Sequence, residues 1–444
     1  MRAEGRIGIV VTGDNHLSPA LPRLSPERRA ARRERLRAGF ERAVEYAIGH
    51  AAALFVQVGD LFDTPAPSNA DRAFVAGCLR RLRAAGIECA GIGGNHDTPR
   101  LRTEYGGEAP QRVYEEQGGL RYFPRSDALS LALLTLDGLR LAVVGLSNNP
   151  VAAPGSDPLE GVGLEDPEGA LEAADVGLLA LHAGIEGLCH PAEGERIVTR
   201  ASIGALPPKL RVIVAGHIHR FAHARFDGRD VVVSGATERM EFGTASGGAG
   251  FAWLEVDAEG LRHFEQVRVE EQPRADLTIS TARLWPAVGA RLPALSDGEP
   301  PAGADVLPRA EVSAPTDAPG SMAIVRHALA QVCTPETMVR LRLGGPLTLE
   351  QYHQLVLRDV LRYGQEHAFS FELDTSALAL EHIPVGTDRR AAGGGPISPV
   401  GEVEALLAER LAALQGAEDR EDMRVAAGLV TARLRAAGRG EEGV

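Results

Sequence analysis

The sequence predicts an α/β protein built on a two-layer mixed β-sheet sandwich flanked by helices, with a smaller α+β domain and a helical tail behind it. Three observations carry this. Strand and helix signals alternate from Arg6 to Ile92, which implies parallel strands joined by crossover helices. Asp-Gly pairs between later apolar runs mark hairpins, so the sheet turns mixed. A stretch rich in Pro, Ala and Gly then isolates a second, shorter set of elements.

Taken in order, "RIGIVVT" (Arg6–Thr12) reads as the first strand. The helix after it has Ser25 as N-cap and Pro26 at its first position, and Leu36, Phe40, Val44 and Ile48 form a stripe. Leu54–Val58 is a second strand, Asn69–Ala85 a second helix and Ile87–Ile92 a third strand. Asp137-Gly138 turns a hairpin, and residues 147–174 read as a long surface loop. Val176–His182 and Arg211–His217 are apolar enough to be buried strands; hairpins at Asp227-Gly228 and near Glu259-Gly260 complete a first domain over residues 1–270.

A second domain spans residues 271–382 and contains a linker at about 295–321. Within it "MVRLRL", "TLEQYHQLVLRDVLRYGQEH" and "AFSFELD" read as strand, helix and strand, with Thr348 and Gln351 as a capping box. The tail, residues 399–444, carries two amphipathic helical stripes: Val403, Leu407, Leu411 and Leu414, then Val425, Leu429 and Leu434.

Composition narrows the class. The chain has 444 residues, 44% of them hydrophobic, and no apolar run long enough for a membrane span. Its N-terminus lacks a signal pattern, so a cytoplasmic protein is expected. The cysteines (Cys78, Cys89, Cys189, Cys333) are scattered and expected to be reduced thiols. A net charge of -13 argues against a protein that coats nucleic acid. Locally the balance reverses: eight arginines and three glutamates lie between Arg23 and Arg42. That helix could track phosphates or simply face solvent.

Chemistry gathers at strand ends. Five segments each follow the carboxyl end of a predicted strand: "GDNH" (Asp14, His16), "GDLFD" (Asp60), "GNHD" (Asn95, His96, Asp97), "LHAG" (His182) and "GHIH" (His217, His219). Ligands of open α/β sheets bind in the crevice beyond those ends. An isolated H-x-H is more often a pair of solvent-facing histidines, but five such segments in order are hard to assign to chance. Carboxylate, imidazole and amide without thiolate suit Mn²⁺, Fe²⁺ or Zn²⁺. That many candidate groups are too many for one ion and about right for two, an arrangement that clamps both oxygens of an in-line phosphoryl displacement. Gly13, Gly59, Gly94 and Gly216 beside them allow sharp turns and close approach.

In this order D-x-H, G-D, G-N-H-D, H and G-H-x-H resemble the calcineurin-like metallophosphoesterase superfamily. The resemblance implies two divalent metal ions, Mn²⁺ foremost with Fe²⁺, Zn²⁺ or Mg²⁺ as options. Asp14, His16, Asp60 and His219 would hold one ion; Asp60, Asn95, His182 and His217 would hold the other, with Asp60 shared. His96 would steady the phosphorane or protonate the leaving oxygen, and Asp97 would orient His96. "GDLFDTPAPS", "GNHDTP", "GHIHRF" and "VVVSGATERMEFG" further resemble the SbcD nuclease subunits of DNA repair. That implies a DNA exonuclease and endonuclease, a domain capping the DNA side, a homodimer, and tail helices that grip an SbcC-type SMC-like ATPase. Alternatives are a phosphoprotein phosphatase or small-nucleotide phosphodiesterase of the same fold, or a non-catalytic tether. Two departures stand out: Val11-Thr12-Gly13 ahead of Asp14, and the long Pro-rich loop at 147–174.

Other residues receive plainer readings. Glu238 and Arg239 are expected to form a surface ion pair, with steadying a loop near the site as the second option. His190 and His223 are taken as surface residues, and Cys189 beside His190 is not taken as a reactive pair, because strand neighbours face opposite ways.

Overall fold

A computed structural model describes residues 5–101, 103–166, 168–189, 192, 194–240, 242, 247–285 and 320–380. The tail at 399–444, the linker over 295–319 and His190 lie outside them. Strand β1 (Ile7–Thr12) is buried along its whole length. Helix α1 (Pro26–Gly49) starts where Ser25 accepts a hydrogen bond from the Arg28 N–H. Then come β2 (Leu54–Val58), α2 (Asn69–Ala84), β3 (Glu88–Ile92), the short α3 (Arg112–Glu116) and β4 (Arg121–Phe123). Strands β5 (Ala128–Leu136) and β6 (Leu139–Leu146) pair antiparallel across Asp137-Gly138, whose φ values of 47° and 86° are those of a tight hairpin turn.

The loop from 147 carries the three-residue β7 (Gly163–Glu165), which pairs with β5, and α4 (Ala170–Ala173). Strand β8 (Val176–His182) leads to a small β9 (Gly184–Ile185) and β10 (Ile197–Val198) pair, then α5 (Arg200–Ala205) and β11 (Leu210–Gly216). Hairpins β12 (Ala222–Phe226)–β13 (Arg229–Val233) and β14 (Gly250–Asp257)–β15 (Gly260–Arg268) follow, at the turns the sequence marks.

These strands form two mixed sheets, β15-β14-β1-β2-β3-β4 and β12-β13-β11-β8-β6-β5-β7. Alternation along each strand explains how they stack. Ile7, Ile9 and Val11 of β1 join Val212 and Val214 of β11 in the core between the sheets, whereas Val10 faces outward with Leu36, Phe40 and Val44 of α1. On the far side Ile213 and Ala215 pack with Leu171 and Ile203 of α4 and α5. The architecture is therefore the expected sandwich with helices on both faces.

A third sheet holds β16 (Arg274–Ser280), β17 (Met338–Leu347) and β18 (Ser370–Leu380), all parallel, with β17 central. Parallel pairing requires crossovers. Helix α6 (Thr281–Leu284) follows β16 directly, and α7 (Ser321–Val332) precedes β17. Helices α8 (Leu349–Gln354) and α9 (Leu357–His367) connect β17 to β18. The expected single helix is broken at Leu355–Val356, and the break lets Leu355 and Val360 both enter the core beside this third sheet. Thr348 and Gln351 do form the capping box.

Helix α1 joins this sheet to the sandwich. Arg28 donates to the Gln365 carbonyl, and Arg35 pairs with Glu336 at 2.8 Å. Arg32 is 3% exposed and meets Glu238, 1% exposed, at 3.1 Å. It also donates to Gln272 at 2.9 Å and to the Arg239 carbonyl at 2.8 Å. The expected surface pair of Glu238 and Arg239 is thus corrected. Glu238 is buried under α1 against Arg32, while Arg239 pairs with Glu271 at 3.2 Å. Ionised side chains read as surface by default, and only a partner from another element makes their burial tolerable.

Candidate active site

Each strand-end segment turns sharply, because a continuing strand would carry the side chains past the crevice. Asp14, His16, Asp60 and His217 all adopt positive φ, between 46° and 89°. Such backbone is costly for residues with a Cβ and persists only where the surroundings impose it. Here hydrogen bonds impose it. Asp14 N–H donates to the Gly59 carbonyl, and the N–H groups of Asn15 and His16 donate to the Asp60 carbonyl. The His217 N–H reaches both Asp14 carboxylate oxygens, at 2.9 and 3.0 Å. The H-x-H segment is therefore a bend and not an extended strand end.

Glycines make room. A Cβ at Gly94 would stand 2.1 Å from Asp60 Oδ1, and one at Gly59, where φ is +90°, 2.3 Å from His182 Nδ1.

The side chains fall into two neighbouring groups around Asp60. In the first, His16 Nε2 lies 3.2 Å from His219 Nε2 and 3.9 Å from Asp60 Oδ2, and His219 Nε2 lies 3.9 Å from Asp14 Oδ1. In the second, His182 Nε2 is 3.2 Å from Asp60 Oδ2 and 3.0 Å from Asn95 Oδ1, and His217 Nδ1 is 3.1 Å from the same Asn95 oxygen. His182 Nδ1 donates to the Val58 carbonyl at 2.8 Å, which turns Nε2 toward Asp60 and Asn95. Asp14, His16, Asp60 and His182 are buried; His217, His219 and His96 form the more open side.

His96 donates its backbone N–H to Asp60 Oδ1 at 2.8 Å, while its half-exposed ring stands 4.7 Å from that of His16, edge-on. The expected partner of this ring is corrected. Asp97 is fully buried and accepts from the N–H groups of Gly94 and Phe62 and from the Gln111 amide. It ties the "GNHD" turn to the "GDLFD" turn and does not touch the His96 ring. Asp63 does that work: its Oδ1 lies 3.3 Å from His96 Nδ1 and 2.9 Å from His16 Nδ1. A signal for Asp63 was present, since it is the second acid of "GDLFD". Nothing in the sequence marks Glu195, whose Oε1 lies 3.0 Å from His217 Nε2.

Charge follows from this packing. Burial opposes ionisation of Asp60, yet His182, His16 and His96 outweigh it and hold its carboxyl below the usual carboxylate range. Asp63 goes the same way, to about 2, because hydrogen bonds from His16 and His96 overcome burial. Burial, with the Asp60 charge behind it, raises Asp97 to about 6. For His217, burial and then the nearby His182 push the imidazole down, toward the neutral form.

Asp14, His16 and His219, and Asp14, Asp60 and His182, each bring ligand atoms within 4.8 Å of one another. Two imidazole nitrogens facing each other at 3.2 Å need a shared cation or proton between them. The donor set, oxygen and imidazole without thiolate, fits divalent first-row ions. No helix among the described residues is long and apolar enough to cross a membrane.

The calcineurin-like phosphoesterase family matches residues 7–221. Among curated proteins, the DNA double-strand break repair protein Mre11 of Methanopyrus kandleri is 28% identical over 284 residues, covering 61% of this chain and 59% of that protein. Mre11 of Thermoplasma acidophilum is 26% identical over 206 residues, covering 45% of this chain and 49% of that protein. The chain thus spans between 49% and 59% of the length of these two relatives. A solved structure, TT1561 of Thermus thermophilus, aligns with a TM-score of 0.34 at 16% identity, over 59% of this chain and 99% of that one. With a clustered Asp, Asn and His centre inside the matched residues, residues 7–221 carry a calcineurin-like phosphoesterase domain.

Proposed function

We propose that this protein is a metal-dependent DNA nuclease of the SbcD and Mre11 type, acting as exonuclease and endonuclease in double-strand-break repair. The observation that supports it most is the β16–β18 sheet fastened to the catalytic sandwich through α1, which hydrolysis of a small phosphoester does not need. The names of the relatives point the same way.

In this reading Asp14, His16, Asp60 and His219 hold one divalent ion, and Asp60, Asn95, His182 and His217 the second, with Mn²⁺ the expected metal. Such a pair, when bound, supplies Lewis acidity to the phosphoryl oxygens and activates the attacking water. The chain does the rest. His96, on the open side, donates a proton to the leaving oxygen, and Asp63 fixes the orientation of its ring. Asp97 holds the two turns that place Asn95 and Asp60.

The tail at 399–444 would bind an SbcC-type ATPase, and the protein would act as a cytoplasmic homodimer. A small-substrate phosphodiesterase or phosphoprotein phosphatase is the second reading, favoured by the net charge of -13.

The deciding experiment offers Mn²⁺-loaded protein a linear duplex DNA, a phosphorylated protein and a simple phosphodiester side by side. Degradation of the duplex supports the nuclease. Turnover of the phosphoprotein with intact DNA overturns it.

A further inference from the structure

We infer that Glu195 is a positioning residue that fixes the tautomer of His217, and that the long Pro-rich loop after β6 exists to hold Glu195 in place. The inference rests on the reading of His217 as a metal ligand and adds to it how that ligand is aimed.

His217 has two ring nitrogens with different surroundings. Nδ1 faces inward, 3.1 Å from Asn95 Oδ1, and Nε2 faces Glu195 Oε1 at 3.0 Å. A carboxylate only accepts hydrogen bonds, so beside a neutral ring it selects the form with the proton on Nε2. Nδ1 is then left with its lone pair directed into the crevice, as a metal ligand requires. Without Glu195 the ring is free to protonate Nδ1 instead, which would suit the facing Asn95 oxygen and spoil the ligand. Among the described residues His219 has no such carboxylate on the outer side; its Nε2 already faces His16 and Asp14. His16 has the corresponding acceptor in Asp63 and His182 in the Val58 carbonyl; Glu195 fills that place for His217.

Glu195 is itself held. Its second oxygen accepts the Ala192 N–H at 2.7 Å. The residues on both sides are gripped by the loop after β6. Gly155 N–H donates to the Gly194 carbonyl at 2.9 Å, and Arg196 donates to the Asn149 carbonyl and to Ser156 Oγ. Asp157 accepts from both the N–H and the hydroxyl of Thr199, at 2.9 and 2.7 Å. The long Pro-rich loop thus has a place beside the site.

The test compares wild-type protein with Glu195→Ala, Glu195→Gln and Asp157→Ala. Nitrogen-15 NMR of histidine-labelled, metal-free protein, with the His217 signals assigned by His217→Ala, reads the tautomer directly. Mn²⁺ titration reads the affinity of each ion. Expected are an Nε2–H tautomer in the wild type, a mixture in Glu195→Ala, and about 10–100-fold weaker binding of one ion only. Glu195→Gln, whose amide oxygen still accepts, should restore both readouts to within about threefold. Asp157→Ala should shift both in the direction of Glu195→Ala, by less. An unchanged tautomer and unchanged affinity in Glu195→Ala, or a Glu195→Gln as impaired as Glu195→Ala, overturns the inference. Failure of the wild type to bind a second ion instead overturns the assignment of His217 as ligand, while the metal-free tautomer still reports on Glu195.

Discussion

Gly94→Ala isolates the dependence of the site on close backbone approach. The added Cβ would lie 2.1 Å from Asp60 Oδ1, 2.3 Å from Asp60 N and 2.7 Å from Asp60 Cγ, where real Cβ atoms are not found nearer than 3.0 Å. Two of those atoms belong to the carboxylate that both groups share. It must retreat by roughly 0.9 Å (3.0 less 2.1 Å), and a misplacement of about 1 Å can cost about 100-fold in rate. Overpacking of this kind also costs about 1–3 kcal/mol of stability. The assay is Mn²⁺-dependent hydrolysis of a simple phosphodiester, with metal content measured on the same sample. Gly163→Ala serves as control, since a Cβ there meets nothing within 4 Å. Expected is a fall in kcat of about 100-fold or more for Gly94→Ala and no change for the control. A Gly94→Ala protein within about threefold of wild type, with its ions in place, would refute the reasoning.

Other substitutions address separate parts. His96→Ala should lower kcat by about 100-fold or more with metal content unchanged, and an active variant would remove the acid role. Asp63→Ala frees both His16 and His96, so both rate and Mn²⁺ affinity should fall, by about 10–100-fold; an effect on rate alone would confine it to His96. Glu238→Ala leaves Arg32 buried without its counter-ion and should cost about 3–5 kcal/mol, seen as a lower melting temperature, whereas a loss below about 1 kcal/mol would show the pair to be hydrated. Asp71 tests pH. Burial opposes its ionisation, but Ser68 and Arg37 hold its carboxyl below the ordinary value. Because the folded value lies below the unfolded one, the contribution is present above about pH 4 and lost as pH falls through the folded value. Asp71→Asn should therefore lower the melting temperature at pH 7 and converge with wild type in acid; a constant gap would contradict it.

Much of the fold was legible because its signals are local. Asp137-Gly138 and Asp227-Gly228 turn as their dipeptides require, and β1, β2, β8 and β11 are apolar enough to be recognised as buried strands. Strand β16 is not marked in the sequence although Ala275, Leu277 and Ile279 alternate, since three apolar positions in seven residues carry little weight alone. Helix α7 was hidden the same way, opening at the linker's edge with no side-chain cap at Gly320. At the site, residue types and strand-end positions were readable. What orients them was not. Asp63 against His96, Asp97 against Gln111, and Glu195 against His217 are pairings across turns, and no sequence period encodes them. The same holds for Arg32 and Glu238, more than two hundred positions apart.

The bracing of α1 also sets how, in the nuclease reading, this protein would meet a polyanion. Arg32, Arg35 and Arg37 are paired with Glu238, Glu336 and Asp71, whereas Arg28 and Arg33 donate to carbonyls and keep their charge, so part of the basic run in this helix is already neutralised. Those three cations are not free to displace condensed counterions, and a net charge of -13 gives no long-range pull. In the nuclease reading a duplex would then be held through the centre and the remaining arginines, with a log–log salt slope shallower than that of a helix whose arginines all track the backbone.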